Sequence, residues 1–268
     1  MKILLVTPFY PPDKGGIAYH VHNLASILSK RHDVVVLSHY THDRSLLRME
    51  IVDKMQVIRI PSISPPPVPY ETLVSFRIPL DITSLTKTVK DLNPDIVHVH
   101  GHHYPLTWLA SYFAKQVKVP IILTLHGMYA LTIHRTYIEE LFNQTIFKWL
   151  LLSSNTIIAV SRAVANYAKR YVQDRRPIVV IPNGIYVEVY YKNFDKKSEY
   201  RRKYGLPEDK IIILYRGRFT QVKGVLELVK AIVLLNKYET IRQNVLFAFV
   251  GDGPLKSTII NIRKILRT

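Results

Sequence analysis

The stretch Lys2-Ile3-Leu4-Leu5-Val6-Thr7-Pro8-Phe9-Tyr10-Pro11-Pro12-Asp13-Lys14-Gly15-Gly16-Ile17 carries the plan of the chain in miniature. A short apolar run without alternation predicts a strand buried on both faces. A proline-rich loop follows, and two glycines then open a helix expected over residues 17–30. The same phrase recurs. The chain has only ten glycines, and nine lie near the end of an apolar run: Gly15, Gly16, Gly101, Gly127, Gly184, Gly217, Gly224, Gly251 and Gly253. Strand after strand ending in a glycine turn predicts an α/β protein whose parallel sheet holds ligands beyond the carboxyl ends of its strands. The tenth, Gly205 before Leu206-Pro207, reads as a helix stop.

Composition narrows the class. At 268 residues, 48% of them hydrophobic and none cysteine, the chain is expected to be soluble, globular and free of disulfides. No run reaches the roughly 18–20 apolar residues of a membrane span, and the first strand leads into Pro8 and Pro11 rather than a signal-peptide cleavage site. A cytoplasmic location follows as an expectation, peripheral to the cytoplasmic face of a membrane if the basic charge is used there. The formal charge of +17 is uneven, with 13 basic and 9 acidic residues through position 134 and 24 and 11 beyond it. Such an excess suits an anionic membrane surface or a phosphorylated substrate, or serves solubility. Nucleic acid is not expected, because no zinc finger, heptad-linked basic region or aromatic RNP pattern accompanies the charge.

Seven strands are expected over residues 2–7, 34–38, 57–60, 95–99, 121–125, 156–160 and 178–181, with helices over 17–30, 82–92, 106–115, 137–152 and 162–171. Residues 61–69, five of them proline, read as an irregular connection. This is a complete first domain over residues 1–182. Residues 183–268 read as a linker, a short basic helix at 196–204, and a restarted pattern with strands at 211–215 and 245–250 and helices at 225–235 and 255–266. Two strands make a poor sheet. The second domain therefore reads as truncated, with an apolar edge exposed.

Five motifs carry chemistry. Gly15 and Gly16 let backbone amides approach an anion at a helix start, although the loop is neither a P-loop nor a dinucleotide fingerprint. All eleven histidines lie at or before position 134, and four crowd into Asp95-Ile96-Val97-His98-Val99-His100-Gly101-His102-His103. His98 and His100 share a strand face, so a metal is geometrically possible there. No acidic pair is spaced to complete the shell, and the expectation is no metal. Thr124-Leu125-His126-Gly127 ends another strand with histidine and glycine. In Arg216-Gly217-Arg218-Phe219-Thr220-Gln221-Val222-Lys223-Gly224, Arg218 and Lys223 flank a turn that could hold a diphosphate. Gly251-Asp252-Gly253-Pro254 permits a tight turn under a ligand and starts the next helix.

The ordered set resembles the GT-B glycosyltransferases of family 4: Pro11-Pro12 with Gly15-Gly16, the 95–100 strand, Thr124 to Gly127, Val160-Ser161, Ile181-Pro182-Asn183-Gly184, Gly217-Arg218 with Lys223-Gly224, and Gly251-Asp252-Gly253-Pro254. The resemblance implies two Rossmann-like domains facing across a cleft, here with the second truncated. It implies a retaining transferase that takes a nucleotide-diphosphate sugar as co-substrate, needs no metal or other cofactor, and acts on a lipid-linked or glycan acceptor. By the same resemblance Gly15 and Gly16, Arg218 and Lys223 meet the donor diphosphate, and His126 contacts the transferred sugar. The chain departs from the family at one point. The family's second domain carries two glutamates separated by seven residues, and no two glutamates here have that spacing. The readings left open are a fragment of an enzyme, a short form, or a non-catalytic partner or remnant that binds acceptor or a companion subunit. A sugar-nucleotide epimerase on the same plan is a further alternative.

Overall fold

The computed structural model describes residues 1–40, 48–63, 77–128, 137–191 and 196–265. They divide into two units, Met1–Gly184 and Ile185–Thr268. In the first, the elements run β1 (Lys2–Val6), α1 (Gly16–Leu28), β2 (Asp33–Tyr40), β3 (Arg48–Val52), β4 (Met55–Ile63), β5 (Ile78–Pro79), α2 (Ile82–Leu92), β6 (Ile96–His100), α3 (Pro105–Gln116), β7 (Ile121–Leu125), α4 (Tyr137–Phe142), a π-helical turn (Asn143–Phe147), α5 (Lys148–Ser153), β8 (Thr156–Ala159), α6 (Arg162–Val172) and β9 (Ile178–Val180).

The strands form one sheet in the order β3-β4-β2-β1-β6-β7-β8-β9, with β5 also paired to β4. All pairings are parallel except those of β3 and β5 with β4. Period-2 alternation sends successive residues to opposite faces. Leu4, Val6, Val97 and Val99 pack with α2, α3, α5 and α6, while Ile3, Leu5, Val34 and Val36 pack with Val21 and Ala25 of α1. Helices on both faces bury both, which is why these strands read as continuous apolar runs. Helix boundaries follow from capping. The Asp81 carboxylate accepts from the Ser84 amide at 2.8 Å at the start of α2, and left-handed Asn93 ends it.

The strand order places the reversal of winding between β1 and β6. In this unit expectation and structure part in three places. Residues 61–63 are strand rather than irregular connection: Pro61 pairs with Tyr40, and its carbonyl accepts from the Leu80 amide at 2.9 Å. Proline is tolerated because the partner on one side changes here from β3 to β5, so the missing amide interrupts no continuous ladder. The rest of the proline run lies outside the described residues. β3 and β5 were not expected from the sequence; β3 is an exposed edge, and β5 is two residues long. The expected helix over 137–152 forms, interrupted by the π turn.

The second unit contains α7 (Val187–Tyr191), within the stretch read as linker, then α8 (Lys197–Lys203), β10 (Ile211–Arg216), a 3-10 turn (Gln221–Lys223), α9 (Val225–Leu235), α10 (Glu239–Asn244), β11 (Val245–Val250) and α11 (Lys256–Ile265). β10 and β11 pair in parallel as a two-stranded sheet. One buried cluster, Phe219, Val225, Val229 and Ile259, holds the unit together. Ile211, Ile213, Leu214 and Val250 are exposed, as the sequence predicts for a sheet with so few strands.

Gly251 and Gly253 have a role that the sequence did not reveal. The Gly217 amide donates to the Val250 carbonyl at 3.0 Å, Phe219 to Asp252 at 2.8 Å, and Leu255 to Phe219 at 3.1 Å, so the two turns are knitted together. A Cβ on Gly251 would overlap the Gly217 carbonyl oxygen, and one on Gly253 would lie 2.6 Å from that of Phe219. Gly251→Ala should therefore destabilise the second unit by about 3 kcal/mol, at the upper end of overpacking costs. Gly184→Ala, where a Cβ meets nothing within 4 Å, should change little. Limited proteolysis with thermal melting checks this, and equal resistance of the two variants would contradict it.

Candidate functional site

In an open α/β sheet, consecutive helices depart to opposite faces where the winding reverses, and the loops between them leave a crevice beyond the strand ends. Here that point is the β1–β6 pair: α1 covers one face and α3 the other. Three chain segments reach it, namely the loop from β1 to α1, the end of β6, and the end of β7.

The first segment is held from below by two arginines. Arg59 of β4 is buried and donates to the carbonyls of Tyr10, Pro11 and His39, while its Nε reaches Glu50 Oε1 at 2.7 Å. Arg77 makes a bidentate pair with Asp13 at 2.9 Å through both Nη atoms and lies over the Phe9 ring at 4.9 Å. Tyr10 is fully buried, and desolvation pushes its hydroxyl up to about 12. Beyond this anchored loop Gly15 and Gly16 are open: a Cβ on either would meet nothing within 4 Å. Among the described residues no side chain caps α1, which leaves its first-turn amides available.

The second and third segments bring histidines together. Because Val97 and Val99 face α3, His98 and His100 face α1. His98 Nε2 is 2.7 Å from Thr124 Oγ1 on the neighbouring strand. His100 Nδ1 lies 3.2 Å from His126 Nε2, one ring donating and the other accepting. His20, one helical turn into α1 from Gly16, completes the group: its ring centroid is 5.0 Å from that of His126 and 5.8 Å from that of His100. The structure thus assembles His126 with His100 and His20 on the helix that Gly16 opens. His98 is turned to Thr124.

Burial without an acidic partner favours the neutral imidazole. Desolvation takes His126 down to about 3, helped by repulsion from His20, His98 and His103. It takes His98 down to about 4 and holds His100 well below the ordinary value. At neutral pH the group presents polar, uncharged rings that can donate or accept hydrogen bonds.

In the second unit Arg218 and Lys223 are exposed at the turn between β10 and α9, and neither forms an ion pair with a described residue. Gly224, left-handed at φ 65, is the N-cap of α9. Gly251 and Gly253 pack against this same turn and fix its shape.

A model of Glycosyltransferase Family 4 matches residues 14–189, and one of Glycosyl transferases group 1 matches residues 196–267. The chain belongs to Glycosyltransferase Family 4. It is 32% identical over 179 residues to a Bacillus subtilis (strain 168) protein provisionally named teichuronic acid biosynthesis glycosyltransferase TuaC, covering 66% of this chain and 43% of that one. It is 24% identical over 275 residues to the alpha-monoglucosyldiacylglycerol synthase of Acholeplasma laidlawii, covering 97% of this chain and 65% of that one. The chain therefore spans less than two thirds of the length of these relatives. The fold is that of solved two-domain GT-B structures: Anabaena Alr3699/HepE in complex with UDP and glucose superposes with a TM-score of 0.64 at 16% identity, over 100% of this chain and 65% of that chain.

Sequence reasoning on this family 4 chain missed Arg59, Arg77 and His20. An arginine inside the apolar run Val57-Ile58-Arg59-Ile60 was the available signal for the first. Nothing local marks the other two. The histidines also make stability depend on pH. His20, His39, His98, His100, His102, His103 and His126 all have pKa values lowered by burial. An unfolded chain binds these protons below about pH 6.5 while the folded chain does not. Their contribution is therefore complete above that pH and is lost as the pH falls toward 4, at up to about 1.4 kcal/mol per pH unit for each proton taken up. Urea melts should give a midpoint that is level from pH 8 to 7 and falls steeply between 6.5 and 4; a flat profile to pH 5 would contradict the buried, neutral assignment.

Proposed function

We propose that the chain carries the machinery of a retaining glycosyltransferase that moves a sugar from a nucleotide-diphosphate sugar to a lipid or glycan acceptor. The observation that carries this reading is the neutral His20–His100–His126 group beside an open glycine-started helix at the switch point of the first unit. Departure of a nucleoside diphosphate develops negative charge. In the second unit Arg218 and Lys223 are the cations suited to such charge; in the first, the bare amides after Gly15 and Gly16 are dipoles suited to an anion. A neutral His126 suits a sugar hydroxyl better than an imidazolium would, since it can accept as well as donate. Stabilisation of the leaving group by fixed charges and dipoles calls for no cofactor.

The relative named for making a glucosyl diacylglycerol supports a lipid acceptor. So do the basic excess of the chain and the exposed Tyr137, Ile138 and Leu141 on α4, which would suit a peripheral position on an anionic, cytoplasmic membrane face. No described helix is long and apolar enough to cross a membrane. A second reading is a non-catalytic partner that binds acceptor or a companion subunit.

Calorimetry with a panel of nucleoside diphosphates, alongside transfer assays using a membrane fraction as acceptor, separates the two. Arg218→Ala and Lys223→Ala should each weaken diphosphate binding about 10- to 100-fold, the range of a lost charge-assisted contact. His126→Ala should lower transfer while leaving diphosphate affinity within about twofold. No binding to any nucleotide, with Arg218→Ala indistinguishable from the parent, would favour the partner reading.

A further inference from the structure

The three imidazoles that converge at the switch point are arranged as ligands as well as hydrogen-bonding groups. His20, His100 and His126 each offer one ring nitrogen, and these three atoms lie within 4.8 Å of one another. Two nitrogens bound to one tetrahedral ion at about 2.0–2.1 Å stand about 3.3 Å apart. His100 Nδ1 and His126 Nε2 are 3.2 Å apart, so this pair already spans a tetrahedral edge. His20 is half-buried on α1 and needs to close by about 1.5 Å to complete the face, within reach of a side-chain rotation. The other nitrogen of His100, Nε2, is buried and has no hydrogen-bond partner among the described residues. The ring is therefore fixed by packing and by its Nδ1 contact alone.

We propose that His20, His100 and His126 bind a first-row transition ion of the zinc type. Three imidazole nitrogens select this class over magnesium or calcium, which take oxygen ligands. Three protein ligands also leave a fourth position for water. This site is not the strand pair considered from the sequence: His98 is engaged by Thr124, and the third nitrogen comes from α1, 78 residues before His98 in the chain. The ion is not a participant in the transfer chemistry proposed above. An ion held by one nitrogen of His126 leaves only the other for a sugar hydroxyl.

The test is direct binding and is independent of activity. The full chain, stripped with chelator and dialysed, is titrated with Zn2+ against a competing chromophoric chelator, and with Co2+ as a visible-absorption probe. One equivalent of Zn2+ should bind and displace Co2+ from an intensely absorbing, four-coordinate environment. His20→Gln and His126→Gln should each lose at least tenfold in affinity, while His32→Gln, outside the cluster, should match the parent. Thermal melts at pH 7 establish that the variants are folded, and the Co2+ spectrum of the parent reports coordination without any substitution. Zn2+ affinity unchanged in the double variant His20→Gln/His126→Gln, or a weak octahedral Co2+ spectrum in the parent, would overturn the assignment.

Discussion

The β1–β6 pair is the contact on which the arrangement of the first unit depends. The register Ile3–Ile96, Leu4–Val97, Leu5–His98 and Val6–Val99 joins the two halves of the parallel sheet, and the helices that follow these strands pack on opposite faces. Two consequences follow from that divergence. The loops leaving β1 and β6 cannot cover the strand ends between them, so a crevice is built in. The residues at the end of β6 that face α1 then lie buried between the apolar packing and the polar groups at the strand ends. His98 and His100 occupy those positions, and an imidazole, apolar in its body and polar at its nitrogens, suits such a boundary better than a leucine or a carboxylate.

The glycines of the chain solve two different steric problems. Gly15 and Gly16 face open space, so their lack of a side chain serves access to the backbone. Gly251 and Gly253 are pressed against Gly217 and Phe219, so theirs serves packing. Gly101 belongs with the second group: at φ 82 its missing Cβ leaves room for the Tyr104 ring. A sequence shows only that glycine ends a strand. Whether the vacant side receives a ligand or a neighbouring turn is a tertiary fact.

The same distinction governs what else could be read in advance. Strands buried on both faces announced themselves as apolar runs, and the helices with caps were placed to within a residue or two: Asp81 and Asn93 bracket α2, and Gly224 opens α9. The edge strand β3, Arg-Met-Glu-Ile-Val, alternates too weakly and is too exposed to signal itself, and β5 is too short to do so. Gly15, Gly16 and His126 were visible as glycine and histidine at strand ends. His20 was not, because a histidine in the middle of a helix has no local feature that reveals its neighbours 80 and 106 residues away. The anchoring of Asp13 by Arg77 and of the Tyr10 and Pro11 carbonyls by Arg59 was hidden for the same reason. These contacts join residues separated by 48 to 64 positions.

The two units carry different kinds of polarity, and physical cost explains the division. The first places its polar groups in a largely buried setting where an uncompensated charge would cost several kcal/mol. Accordingly it uses neutral rings and backbone amides, while its buried Arg59 is satisfied by loop carbonyls and Glu50, and the half-buried Arg77 by Asp13. The second has a small core and exposed turns, where cations remain solvated until a partner arrives. Arg218 and Lys223 sit there, while Arg201, the one buried cation of α8, is satisfied by the carbonyls of Pro207, Glu208 and Lys210. Charge is thus carried where solvent keeps it inexpensive to hold, and neutral hydrogen-bonding groups where burial keeps them in fixed orientation.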